Sequence, residues 1–307
     1  MHISVFDPAS PQAANLLWLW KACMWVCVFI FAVVTASIAY MLVRYRQRDS
    51  NEPAQTGGNK KLEVAWTAIP IVLVTLLFVL SVVVARAVDR PVRREPDIVV
   101  TGHQWWWQVD YPAAGATTAN EIHIPTGQDV LIAVESADVI HDFWVPRLGR
   151  KIDAIPGQRN FVWISAKQPG EYLGACAEFC GAQHAWMRFR VEAQNSAAYE
   201  SWLAAQAGPA AEPSAVDATN GKQRFRQLTC ANCHNINGVN PQKQYAPDLT
   251  HIAGRKMLAG ELIQNTPENL RRWLREPNLI KPGSYMPNFH LDDKDLTDLT
   301  AYLAALK

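Results

Sequence analysis

The 307-residue sequence predicts a multidomain protein: a hairpin of two transmembrane helices, then an all-β domain, then an all-α domain. Residues 22–43 and 64–85 are apolar and uncharged, and each run exceeds the roughly 20 residues that cross a bilayer as a helix. The middle of the chain has short runs rich in Val, Ile, Trp and Phe, separated by Gly, Pro and Asn, which is typical of a β-sandwich. The final segment, residues 292–306, has its leucines on one helical stripe.

These patterns divide the chain into four parts. Residues 1–96 are predicted to hold an N-terminal segment and two transmembrane helices, at about 20–43 and 64–86. Residues 97–192 form the β domain, residues 193–216 a short helix and linker, and residues 217–307 the helical domain. Strands are predicted at 97–101, 121–124, 129–135 and 160–164, and a short helix at 196–206.

Charge is unevenly distributed between the two soluble domains. Residues 97–192 carry eleven acidic and seven basic side chains, and residues 217–307 carry nine acidic and twelve basic. The net charges of −4 and +3 predict that the two domains attract each other. No basic run is dense enough to indicate nucleic-acid binding.

A cluster of sulfur and nitrogen ligands lies between residues 174 and 187, in the run Gly-Ala-Cys-Ala-Glu-Phe-Cys-Gly-Ala-Gln-His-Ala-Trp-Met. Upstream, His141 stands alone in an apolar run. Thiolate, imidazole and thioether are ligands that copper prefers. A single-copper electron-transfer site needs one Cys, so two Cys on one loop indicate a shared pair of metals. The alternative is a disulfide between Cys176 and Cys180 in an extracytoplasmic domain.

This loop resembles the binuclear copper A loop of cytochrome c oxidase subunit II almost letter for letter. The resemblance implies a Greek-key, cupredoxin-like β domain that binds two copper ions. It also implies a role for each ligand: Cys176 and Cys180 as bridging thiolates, His141 and His184 as one imidazole per copper, and Met187 and the Glu178 carbonyl as weak outer ligands. The Glu178 carboxylate would reach a magnesium ion shared with the catalytic subunit.

Two further residues take roles from the same resemblance. Three adjacent Trp, residues 105–107, cannot all face one core on a strand, so one is predicted to meet solvent or a neighbouring subunit. Trp105 matches the residue of that family which accepts electrons from cytochrome c. Glu63, in a Glu-x-x-Trp-Thr pattern, resembles the Glu at the mouth of the K proton pathway. A solvated carboxylate at the membrane edge is the alternative for Glu63.

Cys230, Cys233 and His234 form the Cys-x-x-Cys-His motif of covalent c-type haem attachment. The surrounding segment resembles a class I cytochrome c. That resemblance implies Met286 as the sixth iron ligand, a Pro247 carbonyl that orients His234, and packing of Gly221 and Phe225 against Tyr302. Met257, His251 and His290 are rival ligands in this segment.

The basic residues between the two helices, Arg44, Arg46, Arg48, Lys60 and Lys61, favour a cytoplasmic loop, although the Arg residues after the second helix weaken that prediction. Haem bound through Cys is attached outside the cytoplasm. The soluble domains are therefore predicted on the periplasmic face of a bacterial inner membrane, with lipid around the helices.

The resemblance covers essentially the whole chain. It implies the electron-entry subunit of a terminal respiratory oxidase, in which an external cytochrome c or other donor reduces the haem c. The electron then passes through the coppers to catalytic subunit I, which reduces dioxygen to water and pumps protons; subunit III is a further expected partner. The alternative is the copper-containing entry subunit of a related nitric oxide reductase. A copper-delivery protein could also use Cys-x3-Cys and a distant His, but needs neither a Met ligand nor a haem domain.

Overall fold

The structure is a computed structural model that describes residues 3–46, 57–239 and 245–307. It divides into two units, residues 14–90 and residues 91–307 together with the N-terminal segment up to residue 13. Arg48, which contributed to the predicted cytoplasmic loop, lies outside the described residues.

Two helices, α1 (Pro11–Arg44) and α2 (Lys60–Val88), are long and apolar enough to cross a membrane. α1 begins nine residues before its predicted start because Ser10 caps it: the Ser10 Oγ accepts a hydrogen bond from the Ala13 amide at 2.9 Å. Pro11 then occupies the first helical position, where no amide hydrogen is needed. α2 is capped by the side chain of Asn59.

The segment that precedes α1 packs on the β domain. The Ala9 amide donates to the Arg147 carbonyl at 2.8 Å, and the Ala9 carbonyl accepts from the Lys167 amide at 3.1 Å. The buried Ser10 hydroxyl also donates to the Leu148 carbonyl at 2.7 Å. This segment is therefore attached to the domain that follows the second helix.

The β domain is a sandwich of two five-stranded sheets, as predicted. One has the order β3-β2-β1-β5-β8 and the other β4-β10-β9-β6-β7. The strands are β1 (Ile98–His103), β2 (Trp106–Tyr111), β3 (Ala116–Ala119), β4 (Glu121–Pro125), β5 (Val130–Ser136), β6 (His141–Trp144), β7 (Ile152–Ala154), β8 (Asn160–Ile164), β9 (Gly170–Cys176) and β10 (Arg188–Gln194). All four predicted strands are confirmed within one or two residues, and apolar side chains from both sheets form one core between them.

The tryptophan triplet corrects a prediction. All three side chains are buried. Trp107 is completely buried, and Trp105 and Trp106 are 8% and 9% exposed. The expectation that one of them faces solvent or a neighbouring subunit is wrong because other parts of this chain cover them. Trp106 stacks on His103, and Trp105 lies against Tyr285 of the helical domain.

After α3 (Ser196–Gln206), which matches its predicted range, the helical domain contains α4 (Val216–Gln227), α5 (Pro267–Arg275), α6 (Pro277–Ile280) and α7 (Asp293–Ala305). A small antiparallel pair, β11 (Met257–Leu258) and β12 (Ile263–Gln264), lies between α4 and α5. α4 crosses α7 at Gly221, where a Cβ would lie 2.0 Å from the Asp298 carbonyl oxygen. Only Gly permits this crossing, and the Phe225 ring then packs edge-on against Tyr302, as predicted.

Candidate functional site

The predicted copper ligands lie at the start of β6, at the end of β9 and in the segment that joins β9 to β10. His141 is the first residue of β6 and Cys176 the last residue of β9, and these strands pair antiparallel with Phe143 opposite Cys176. The chain then turns so that Cys180 faces back into the same pocket. One ligand atom from each of His141, Cys176 and Cys180 lies within 4.8 Å of the others, and all three residues are buried.

The remaining predicted ligands surround the two sulfurs. The Cys180 Sγ is 3.7 Å from the Cys176 Sγ, 3.7 Å from the His184 Nδ1 and 3.7 Å from the Met187 Sδ. The Cys176 Sγ lies 3.1 Å from the Glu178 carbonyl oxygen. Both Cys are free thiols rather than a disulfide. The structure thus brings together all six residues that the sequence assigned to metal binding, while the Glu178 side chain points outward and is exposed.

His141 is held in one orientation. Its Nε2 lies 2.8 Å from the Asp138 Oδ1, whereas its Nδ1 is buried and has no hydrogen-bond partner among the described residues. A buried nitrogen without a partner costs free energy unless something else binds it. The ring also rests against Gly102, where a Cβ would lie only 2.7 Å from the His141 Cδ2. Sequence reasoning missed Gly102, because nothing local marks it.

The two thiols interact with each other. The hydrogen bond between them lowers the pKa of Cys176 and raises the pKa of Cys180. Thiolate is the form that binds a metal, and a metal that binds both sulfurs displaces the remaining proton. Two sulfurs, two imidazoles, a thioether and a carbonyl form a soft donor set that fits copper. The residues therefore fit the metal pair that the sequence predicts.

The predicted haem residues surround a cavity of about 510 Å³ in the helical domain. Cys230, Cys233, His234 and Met286 all line it. The His234 Nδ1 hydrogen bonds to the Pro247 carbonyl oxygen at 2.8 Å, which confirms the predicted contact. Burial lowers the pKa of His234, which favours the neutral ring that can bind a metal. An apolar cavity with two thiols and an oriented imidazole fits a covalent haem.

The rival iron ligands differ in their positions. Met257 lines the cavity as Met286 does. His251 hydrogen bonds through both ring nitrogens, to the Lys307 carbonyl at 2.9 Å and the Gly208 carbonyl at 3.2 Å. His290 is exposed and is not among the described residues that line the cavity. The two methionines are therefore the ligand candidates that reach the cavity.

Trp105 lies between the two groups of ligands. Its indole Nε1 donates to the Cys180 carbonyl at 3.0 Å, and the neighbouring Gln104 Nε2 donates to the same oxygen at 2.8 Å. Trp105 also lines the cavity of the helical domain, together with Gln183 of the copper loop. The two candidate sites thus share a wall. Glu63 belongs to the other unit, where it lies exposed in the first turn of α2.

Comparisons with known proteins match three regions. Residues 1–84 match the transmembrane domain of cytochrome c oxidase subunit II, residues 114–194 its periplasmic domain, and residues 218–307 cytochrome c. A cytochrome c oxidase subunit 2 from Alkalihalophilus pseudofirmus is 36% identical over 318 residues, which span 100% of this chain and 91% of that one. The same-named protein from Bacillus sp. (strain PS3) is 32% identical over 86% of this chain and 80% of its own.

A solved structure, the periplasmic domain of subunit II of cytochrome oxidase of Bradyrhizobium japonicum, is 31% identical. It covers 38% of this chain and 95% of that chain, with a TM-score of 0.36.

Proposed function

This chain belongs to the cytochrome c oxidase subunit II family and carries a cytochrome c domain, and from that premise we propose that it is the electron-entry subunit of a bacterial terminal oxidase. An external cytochrome c or another donor delivers one electron at a time to the helical domain. The electron then passes to the β domain and leaves for catalytic subunit I, which reduces dioxygen and pumps protons. Subunit III completes the complex.

In the β domain, the thiolates of Cys176 and Cys180 would be shared by two coppers, His141 and His184 would each serve one, and Met187 and the Glu178 carbonyl would be weak outer ligands. Such a pair would supply one-electron transfer with little change of geometry. The protein holds the ligands rigidly: Asp138 and Gly102 orient His141, and the β6–β9 pairing sets its distance from Cys176. The exposed Glu178 carboxylate is available for a magnesium ion shared with subunit I.

In the helical domain, Cys230 and Cys233 would hold the haem covalently, and His234 and Met286 would be the ligands of its iron. Pro247 fixes the His234 ring through its carbonyl group. A sulfur ligand raises the potential of haem iron. The electron enters the copper pair through Trp105, whose indole donates a hydrogen bond to the Cys180 carbonyl. Glu63 is proposed to lie at the mouth of a proton pathway in subunit I.

The two apolar helices and the matched regions fit an inner-membrane protein with a periplasmic domain. We place both soluble domains on the periplasmic face. Two spans return the chain to the side on which it began, and the Ala9 hydrogen bonds to Arg147 and Lys167 join the segment before α1 to the β domain. Both observations favour a topology in which the N-terminal segment and the β domain lie on the same side of the membrane.

The observation that carries the proposal is the convergence of His141, Cys176 and Cys180 within 4.8 Å in a chain of this family. The test is the metal and haem content of the complex isolated with its partners. We expect two coppers and one covalent haem c for each copy of this chain, haem a in the partner, and oxygen consumption. Nitric oxide reduction without oxygen consumption would instead support the nitric oxide reductase alternative.

Two variants test the ligand assignments. Cys180→Ser should abolish the mixed-valence copper signal, because one bridging thiolate is lost. Met286→Leu should abolish the weak sulfur–iron absorbance band of the oxidised haem, and Met257→Leu should leave it unchanged. Loss of the band in Met257→Leu alone would reassign the iron ligand.

A further inference from the structure

The segment that leads into Met286 is in contact with the copper loop. The Lys281 Nζ donates to the Trp105 carbonyl at 2.9 Å, although these residues are 176 positions apart. The Gln183 Nε2 donates to the Pro282 carbonyl at 2.9 Å. The Tyr285 ring lies 4.9 Å, centroid to centroid, from the Trp105 ring. Residues beside a proposed iron ligand thus bind residues beside the copper ligands Cys180 and His184.

Lys281 is an unusual residue for this position. Only 5% of it is exposed, and burial lowers the pKa of its ammonium group to about 8. A buried cation is costly unless it is paired or well hydrogen bonded. A buried charge can offset this desolvation cost with specificity, because it favours one arrangement of two surfaces over others. The Lys281 side chain reaches the Trp105 carbonyl of the β domain. It therefore selects the arrangement in which the helical domain docks at Trp105.

A second group of contacts joins the same two domains. Arg190 of β10 binds Glu261 of the helical domain through two nitrogens, with a shortest distance of 2.6 Å. In a second pair the helical domain provides the cation: its Lys256 Nζ lies 2.8 Å from the Oε2 of Glu192 in β10. The Arg190, Glu192 and Glu261 side chains are each at most 8% exposed. The buried Arg190–Glu261 pair, together with the half-exposed Lys256–Glu192 pair, favours one relative position of the domains.

Resting on the proposed function, we propose that Lys281, Gln183 and Tyr285 form an interdomain latch on Trp105. The latch holds the helical domain in one position against Trp105 and covers the Trp105 ring, which closes it to an external donor. Lys281 and Gln183 are positioning residues, since they act through the segment that carries Met286. Trp105 is only 8% exposed in this arrangement, so an external cytochrome c must reach the chain through the haem of the helical domain.

The first test measures docking and does not depend on electron transfer. A protease site placed after Pro213, in the linker, allows the full chain to be cut into two parts whose dissociation constant is then measured. Lys281→Met keeps the side-chain length but removes the ammonium donor, and should raise the dissociation constant about tenfold, the effect of one lost charge-assisted hydrogen bond. Lys294→Met removes an exposed lysine whose ion pair lies within α7, and should leave it unchanged.

Gln183→Ala should weaken docking in the same direction as Lys281→Met. The latch is overturned if the linker-cut chain has the same dissociation constant with Lys281→Met, with Gln183→Ala and with neither substitution.

The second test measures the order of reduction in the intact complex. Mixing with reduced external cytochrome c should reduce the haem of the helical domain first and the coppers afterwards. In Lys281→Met with Gln183→Ala, direct copper reduction should appear as an added early phase. If copper reduction in this double variant still follows haem reduction with no early phase, the latch alone is overturned. Coppers that no donor reduces, including a small chemical reductant, would overturn the proposed function instead.

Discussion

In the β domain the ligand atoms of His141, Cys176 and Cys180 lie within 4.8 Å of one another, whereas the helical domain arranges its thiols and His234 around a cavity of about 510 Å³. The first site is formed by paired strands and a buried core. The second is lined by apolar side chains of the helical domain and partly by Trp105 and Gln183 of the other domain. The first site therefore depends on strand pairing within one domain, whereas the second also depends on how two domains pack.

The largest expected effect would break the haem side of this comparison. Replacing Cys230 and Cys233 with Ala in the full chain prevents covalent attachment and leaves the cavity without its haem. Without haem, the apolar side chains around this cavity of about 510 Å³ lose the packing partner that would bury them, and the whole stability of a typical domain is only about 5–15 kcal/mol. We therefore expect the helical domain to lose its cooperative melting transition, while the β domain still binds copper.

Circular dichroism and copper analysis measure these two outcomes separately. The matched control is Cys23→Ala with Cys27→Ala, which removes two thiols from α1 and should change neither measurement. An unchanged melting transition of the helical domain in the Cys230/Cys233 variant would contradict the prediction.

A smaller effect tests whether the copper side is as preorganised as its geometry indicates. Gly102→Ala places a Cβ 2.7 Å from the His141 Cδ2, and the buried ring has little room to move. Overpacking of this kind costs about 1–3 kcal/mol. We expect the unfolding free energy of the β domain to fall by about 1–3 kcal/mol. We also expect the copper absorption spectrum to shift, because His141 is displaced.

Gly149→Ala is the control, since a Cβ there would lie at an ordinary van der Waals distance, 3.6 Å, from the Trp163 carbonyl oxygen. Chemical denaturation and absorption spectroscopy of the copper-loaded protein measure both quantities. If Gly102→Ala behaves like Gly149→Ala, Gly102 does not position His141.

The smallest effect concerns the boundary between the two sites. Lys256 forms ion pairs with Glu171 and Glu192 across it, but half of its side chain is exposed. Exposed ion pairs contribute about 0–1 kcal/mol and are screened by salt. Lys256→Met should weaken docking of the cut domains by less than about fivefold at low salt, and the difference from the unchanged chain should disappear at high salt.

The dissociation constant, measured at several ionic strengths in the linker-cut chain, checks this expectation. An effect of Lys256→Met larger than that of Lys281→Met would show that the peripheral ion pairs, rather than the buried latch, hold the domains together.

Much of this molecule could be predicted from local sequence. The Cys-x-x-Cys-His motif and the loop from Cys176 to Met187 carry most of their ligands within fourteen residues or fewer, so chain connectivity alone keeps those groups close. The transmembrane helices and strands follow from apolar runs and from alternation, which depend on neighbouring residues. The start of α1 was misplaced because its Ser10–Pro11 cap lies outside the apolar run that marked the helix.

The opposite net charges of the two domains predicted that they attract, and Lys256 does pair with β-domain carboxylates. Charge totals could not predict the reversed Arg190–Glu261 pair or the position of Lys281. A net charge describes attraction at a distance, whereas docking depends on the shape of two finished surfaces.

The sequence by itself determined which ligand types this chain offers, the order of its domains and its two membrane spans, because each depends on residue chemistry and short-range periodicity. Only the tertiary structure decided that Gly102 supports His141, that the β domain completes the wall of the haem cavity, and that Trp105 is covered by this chain's own helical domain. These contacts join residues that are far apart in the chain. They arise only when separately folded surfaces meet, and no local pattern specifies that meeting.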